Sequence, residues 1–198
     1  MNGLQELAVR YKFHRMMPLG IDDKDFSRLA SLTGVSENEI RKAHESFTEI
    51  NQAAARKLPR IVFKHGKPVN ICFVGDSLTA EGMSYSKIIQ EVMSDIPQIS
   101  FRECAVPGWK TSDAVFELQD GILSEKSEIV HLMLGTNDAK NDEPGRDCST
   151  TSITEYGRNM ARLVEACKRS GAYVIVSAIP PAKKIIATEK VPPVWMTS

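Results

Sequence analysis

The stretch from Val69 to Thr79, Val-Asn-Ile-Cys-Phe-Val-Gly-Asp-Ser-Leu-Thr, decides the fold that we predict for this chain. Residues 71–75 form a short apolar run that ends at a glycine, which is typical of a strand buried on both faces of a parallel sheet. Asp76 and Ser77 then lie at the carboxyl end of that strand, where open α/β sheets bind their ligands. A serine presented on such a turn is a candidate nucleophile. The same tripeptide also suits a simple turn between strand and helix, so both interpretations stay open here.

Strands and helices alternate after this turn. The predicted strands are 99–106, 129–134 and 173–176, and the helices between them begin near residues 82, 111 and 152. Such alternation implies right-handed crossovers and a mostly parallel, doubly wound sheet. Arg102 and Glu103 interrupt the second strand, so we expect it at an edge of the sheet. The first and third strands should be neighbours, because the strand order reverses between them in folds of this class.

The first 68 residues are predicted to form a small helical region that ends in the basic, turn-rich segment 64–68. Its predicted helices are 4–17, 22 or 23 to 32, and one that starts at the capping box Ser36-Glu37-Asn38-Glu39 and ends before residue 59. Residues 26–45 resemble a helix-turn-helix, but the second helix carries mostly acidic side chains, so nucleic acid is not an expected partner. We expect instead a helical hairpin that packs on the following domain or on another subunit of a homo-oligomer.

The composition is ordinary for a soluble globular protein, with 42% hydrophobic residues, 25% charged residues and a formal net charge of zero. No apolar run approaches the roughly 20 residues of a membrane span, and no secretory signal is visible at the N-terminus. We therefore expect a cytoplasmic protein with no membrane partner. The four cysteines lack the spacing of metal ligands, and neither a metal nor another cofactor is predicted.

Three strand exits should converge at one mouth of this sheet. Ser77, Gly108 and Asn137 follow the first, second and third predicted strands. A serine hydroxyl that attacks a carbonyl needs hydrogen-bond donors already in place for the oxyanion that develops. The backbone N–H groups of Ser77 and Gly108 and the side-chain amide of Asn137 could supply them, and glycine allows close approach of the backbone. This set predicts acyl transfer.

These motifs also carry a family resemblance. Gly75-Asp76-Ser77-Leu78, then Gly108, then Gly135-Thr136-Asn137-Asp138 resemble the SGNH, or GDSL, hydrolases over roughly residues 69–181. The resemblance implies a flavodoxin-like, three-layer α/β/α fold. It also implies hydrolysis of carboxylic esters, sometimes of acetylated sugars or thioesters.

The resemblance assigns a role to each matching residue. Ser77 would be the nucleophile, and Gly108 and Asn137 would complete the oxyanion hole together with the N–H of Ser77. Asp76, Trp109 and Asp138 would line the site of a small-molecule ester, although a purely structural role for the tryptophan is an equal alternative. Of the family's second block, Asn-x-Gly-x-x-Gly, only the final glycine matches here.

The base that should activate the serine is the main departure from the family pattern. The family places Asp-x-x-His near its C-terminus, and this chain contains no such motif. His131 lies mid-strand, six residues before Asn137, and is expected to be a core or interface histidine. A serine without a base is a poor nucleophile. We therefore predict a hydrolase-like domain over 69–198 that lacks its final block, with weak or no Ser77-dependent turnover. The alternative is an impaired or truncated relative that binds a ligand or partner through the same pocket.

Overall fold

A computed structural model describes residues 1–17, 19–61, 66–140 and 149–180 of the chain. Within these residues the sheet has four strands in the order β2-β1-β3-β4, and every neighbouring pair is parallel. The strands are β1 Val69–Gly75, β2 Ile99–Ala105, β3 Ile129–Met133 and β4 Tyr173–Val176. The predicted parallel sheet, and the predicted neighbours β1 and β3, are therefore confirmed.

Helices cover both faces of this sheet. They are α4 Ser77–Ala80, α5 Tyr85–Val92, α6 Thr111–Phe116 and α7 Ile153–Arg169, with a π-helical turn at Leu118–Ile122. Cys72 and Val74 of β1 belong to the core on the side of α6 and α7, whereas Ile71 and Phe73 pack with Tyr85 and Ile89 of α5. Successive side chains of a strand point to opposite faces, so a strand covered on both sides is apolar at every position. The α/β/α architecture predicted from the sequence is confirmed.

The N-terminal region is a helical hairpin that lies on the α/β domain. Its helices are α1 Gly3–Arg10, α2 Phe26–Thr33 and α3 Glu37–Ala55, and the predicted capping box at Ser36 is present. The ring of Phe47 packs so closely on Gly82 that a Cβ there would come within 2.5 Å of it. The side chain of Asn51 donates a hydrogen bond to the carbonyl of Gly82 at 2.9 Å. The hairpin therefore packs on the domain, as one of the two alternatives predicted, and a role in oligomer formation stays a prediction.

The first predicted helix, 4–17, is wrong beyond residue 10. The chain leaves α1 at Arg10, takes a left-handed conformation at Lys12 with φ of 55°, and continues as a 3-10 helix over Phe13–Met16. The buried ammonium of Lys12 explains this turn, since it lies 2.8 Å from Asp23 and 3.4 Å from Glu103. A contact with β2, distant in sequence, thus overrides the local helical pattern.

Strand β2 lies at an edge of the sheet, as predicted, but its charged side chains are held inside the protein. Arg102 donates to the carbonyl groups of Gly121 and Ile122. Glu103 is close to Lys12, Arg15 and Lys87, at 3.4, 2.8 and 3.2 Å. Burial alone would raise the pKa of Glu103, but these cations outweigh it and hold the pKa below its ordinary value. Lys12 and Arg15 of the N-terminal region thus lie against β2.

The opposite edge of the sheet, at β4, is open in the described residues, with Tyr173 70% exposed and Val176 52% exposed. The helix predicted from residue 82 begins at Tyr85, because Gly82 serves as the contact for α3. The predicted domain boundary at 64–68 and the predicted loop at 139–150 fall partly outside the described residues, and residues 181–198 fall wholly outside. Among the described helices, none combines the length and the apolar character needed to cross a bilayer.

Candidate active site

The turn after β1 is built by Gly75, Asp76 and the first residues of α4. The buried carboxylate of Asp76 accepts a hydrogen bond from the N–H of Leu78 at 2.9 Å, and its backbone carbonyl accepts from Thr79 and Ala80. A Cβ at Gly75 would lie 2.0 Å from the hydroxyl of Thr79, so only glycine lets the chain fold back this sharply. Ser77, half-buried, is thereby fixed at the carboxyl end of β1, where the sequence predicted it.

The loops after β2 and β3 meet beside this turn. Gly75 pairs with Ala105 and Met133, the last residues of the two neighbouring strands, so the three exits lie at the same level of the sheet. Gly108 has a left-handed φ of 86°, which favours glycine. The side-chain amide of Asn137 donates to the carbonyl of Trp109 at 2.9 Å, which ties the two loops together. One hydrogen of that amide is used in this way, and a second remains on the same nitrogen.

Asp138 holds the third loop in place. Its buried carboxylate accepts hydrogen bonds from the N–H of Thr111 at 3.0 Å and from the Thr111 hydroxyl at 2.6 Å. The amide of Asn159 on α7 donates to the same hydroxyl at 3.1 Å. The loop is therefore anchored to the start of α6 and, through it, to α7. The predicted contact of Asp138 with substrate stays a prediction, since the contacts seen here are internal.

The predicted substrate contact of Asp76 also stays a prediction. Asp76 is only 1% exposed, and the hydrogen bond that its carboxylate accepts from the N–H of Leu78 fixes the turn. Burial raises the pKa of this carboxyl group, and the neighbouring carboxylate of Asp138 adds to the shift, whereas hydrogen bonds from Leu78 and Thr136 act in the opposite sense.

The histidines of the described residues are all engaged away from Ser77. His14 pairs with Asp23 at 3.0 Å, and His44 packs edge-on against Phe26 with ring centroids 5.1 Å apart. His131 is hydrogen-bonded through both ring nitrogens, to Tyr85 at 3.1 Å and to Ser177 at 2.8 Å. Burial lowers the pKa of His131, so this ring is neutral near pH 7. His131 is half-buried, so its assignment to the core or to an interface stays a prediction, and His65 lies outside the described residues.

The family follows from a comparison with family models. Residues 73–195 match the GDSL-like lipase/acylhydrolase family, which is more than half of the chain. This chain belongs to that family. The resemblance read from the Gly-Asp-Ser turn is confirmed. No curated protein matches the sequence.

Solved structures similar to this GDSL-like chain include two variants of Axe2. One is a catalytic mutant of this acetylxylan esterase from Geobacillus stearothermophilus, with 20% identity and a TM-score of 0.50. The other is described as an acetyl-xylooligosaccharide esterase, with 21% identity and a TM-score of 0.50. Each comparison covers 58% of this chain and 61% of the other, so the chain spans about three fifths of the length of these neighbours. At this identity the likeness shows the fold.

A chain of side chains under the GDSL-like turn was not predicted from the sequence. Thr79 lies 3.1 Å from the hydroxyl of Tyr85, which lies 3.1 Å from Nδ1 of His131, whose Nε2 lies 2.8 Å from Ser177. These contacts connect α4, which carries Ser77, to α5, β3 and the exit of β4. Spacing along the sequence does not reveal them, because they link four separate elements. To predict these contacts, one would have needed the register of β1 and β3, which pairs Phe73 with His131.

The structural role of Trp109 is visible, whereas its predicted contact with substrate stays a prediction. Trp109 packs, partly buried, against the core under α6 and α7, and it also lines a cleft of about 330 Å³ next to Gly108. Among the described residues, no group of three or more histidine, cysteine, aspartate or glutamate side chains is arranged to hold a metal ion.

Proposed function

We propose that this protein hydrolyses small carboxylic esters through an acyl-enzyme formed on Ser77. The observation that carries the proposal is the meeting of three strand exits, which bring Ser77, Gly108 and Asn137 to one edge of the sheet in a chain of the GDSL-like lipase/acylhydrolase family. Ester hydrolysis is the general activity that the family name describes. The acetyl esters named for Axe2 are the first substrates to test.

In the proposed reaction the hydroxyl of Ser77 attacks the ester carbonyl, and the alcohol leaves from the tetrahedral intermediate. The N–H groups of Ser77 and Gly108 and the free amide hydrogen of Asn137 would stabilise the oxyanion. Losing one donor of this kind typically costs about 3–4 kcal/mol, or about 10²–10³ in kcat. Water then releases the acid and regenerates the serine. Asn137→Ala is therefore expected to lower kcat far more than it changes KM.

One observation favours a second candidate function, a binding module with an impaired serine. Within the described residues, none of the three histidines is hydrogen-bonded to Ser77, and both nitrogens of His131 are already occupied. A serine without a base reacts slowly at neutral pH. Such a protein would still bind an ester or acid at the same mouth.

The experiment compares the wild type with Ser77→Ala, using p-nitrophenyl acetate and mass spectrometry of the peptide that carries residue 77. Slow turnover with an acetyl group on Ser77, lowered further in Ser77→Ala, is expected, because a serine without a base reacts slowly while the oxyanion donors still assist its attack. Equal rates of hydrolysis in the two proteins, with no acetyl adduct, would contradict the proposal. The second candidate function, a binding module, would then remain. Fast turnover that is lost in Ser77→Ala would instead show that a base acts on this serine.

A further inference from the structure

The cleft beside Gly108 is lined by apolar side chains from two distant parts of the chain. They are Met16 of the N-terminal region and Trp109 and Phe116 beyond β2, around a volume of about 330 Å³. Met16 is 57% exposed and Phe116 is 86% exposed, although both side chains are apolar. Exposed apolar side chains that are grouped around one cleft mark a surface that contacts a ligand.

The position of Met16 is fixed by its neighbour Arg15. The guanidinium of Arg15 donates to the carbonyl of Ala105 at 3.1 Å, pairs with Glu103 at 2.8 Å, and pairs with Asp23 at 2.6 Å. These partners lie at the end of β2 and within the N-terminal region itself. Ala105 is three residues before Gly108, so this anchor places Met16 directly beside the glycine loop.

The methyl group of Met16 reaches the loop itself. Its Cε lies 3.7 Å from the point that a Cβ on Gly108 would occupy, which is ordinary van der Waals distance. Methionine is flexible and polarisable, and it adapts to apolar groups of different shape. The carboxylate of Asp113, which also lines the cleft, already accepts a hydrogen bond from the N–H of Lys110 at 2.8 Å. The carboxylate of Glu117 also lines the cleft, so a ligand would meet polar groups there as well as the apolar side chains.

We propose that Met16 and Phe116 are specificity-determining residues that receive an apolar chain of the ester, so that the N-terminal region forms one wall of the substrate cleft. This inference rests on the proposed function, because it takes the N–H of Gly108 as a donor to the carbonyl oxygen. A substituent of a carbonyl bound there would lie next to Met16, at the cleft that Phe116 also lines. Burying one methylene group changes a binding constant by about fourfold, so a chain of several methylenes is distinguished clearly from a methyl group.

The hydrolytic test compares p-nitrophenyl octanoate with p-nitrophenyl acetate. Met16→Ala and Phe116→Ala are each expected to lower the octanoate-to-acetate ratio of kcat/KM by about tenfold, as two or three methylene contacts are lost in an open cleft. The matched control is Met17→Ala. Met17 is the next residue and is 47% exposed, but it lines a different cavity, beside Asp22 and Asp23. Equal ratios in Met16→Ala and Met17→Ala would show that the acyl chain does not enter the cleft, and the inference would then depend on the alcohol chain.

A second pair of esters distinguishes the two sides of the substrate. Octyl acetate and ethyl acetate place the chain on the alcohol, whereas the p-nitrophenyl series places it on the acyl group. The pair for which Met16→Ala lowers the ratio identifies the side of the ester that enters the cleft. If neither pair responds, the cleft does not bind the chain, and the inference fails.

A binding measurement separates this inference from the proposed function. Octanoate is titrated into Ser77→Ala that also carries Trp195→Phe, which leaves Trp109 as the sole tryptophan. A saturable change in its fluorescence is expected, with about tenfold weaker binding when Met16→Ala is added and no change with Met17→Ala. If hydrolysis proves independent of Ser77 but this pattern holds, only the proposed function fails. If hydrolysis depends on Ser77 but Met16→Ala leaves both readouts unchanged, only the inference fails.

Discussion

Replacing Gly75 by alanine is expected to destabilise the protein and displace the turn that carries Ser77. The added Cβ would lie 2.0 Å from Oγ1 of Thr79, 2.6 Å from its Cβ, and 3.0 Å from the carbonyl oxygen of Met133. Rotation of the Thr79 side chain can move Oγ1, but it leaves the Cβ where it is. Relief therefore requires a shift of α4 or of β3.

The magnitude follows from the cost of overpacking. Inserting a methyl group into a tightly packed site typically costs about 1–3 kcal/mol, and the backbone contact at Gly75 places this variant at the upper end. For a chain of this size, each kcal/mol corresponds to about 2–4 °C in Tm. Gly75→Ala is thus expected to lower Tm by about 6–12 °C, measured by circular dichroism and supported by urea unfolding.

Gly157→Ala is the matched control, because this glycine lies in α7 and an added Cβ meets nothing within 4 Å. The same substitution should raise stability there by about 1 kcal/mol, since alanine is the better helix former. A double-mutant cycle with Thr79→Gly tests the cause, and a coupling of at least about 1 kcal/mol is expected. If Gly75→Ala is as stable as the wild type, or if the cycle shows no coupling, then close packing on Thr79 is not the reason that a glycine is needed at this position.

Two further predictions concern buried ionisable groups. Burial lowers the pKa of His131, so the unfolded chain binds the proton more readily, and stability that is complete above about pH 6.5 should fall as the pH is lowered. Urea unfolding should show that the free energy of unfolding falls less between pH 7.5 and pH 5.5 in His131→Gln than in the wild type. An equal fall in the two proteins would refute this. Glu103→Gln removes a buried carboxylate that pairs with Lys12, Arg15 and Lys87, although Lys12 and Arg15 keep Asp23 as a partner. It should cost about 3 kcal/mol, with faster proteolysis of the N-terminal region. The control is Glu37→Gln, which breaks the exposed ion pair with Arg41 and should lower the free energy of unfolding by about 0.3–0.5 kcal/mol. Similar losses of stability in the two variants would show that burial of Glu103 does not matter.

The sheet could be predicted from the sequence because its signals are local. The apolar run before Gly75 and the turn residues after each strand define β1 to β4 within about a residue at each end. The neighbouring positions of β1 and β3 follow from the reversal of strand order in folds of this class. Asn137 and Gly108 could be placed for the same reason, since each directly follows a strand.

The contacts that override local patterns could not be predicted. Lys12 interrupts a regular helical pattern because its charge is satisfied by Glu103, 91 residues later in the chain. Arg102 and Glu103 look like solvent-facing residues of an edge strand, yet each finds buried partners on a different element. Asp138 resembles a substrate ligand by its place in the motif, and its bonds to Thr111 depend on the three-dimensional approach of α6. Such partners are visible only after the elements are packed.

The attachment of the N-terminal region to β2 has a consequence for synthesis on the ribosome. Arg15 is translated long before its acceptor at Ala105, which lies 90 residues further along the chain. At roughly 5–20 residues per second, that interval is about 5–18 s. The helical hairpin with its own small core is therefore complete well before the surface that fixes it exists. During that time its cationic side chains face the solvent, and the wall around Gly108 forms only when β2 has emerged.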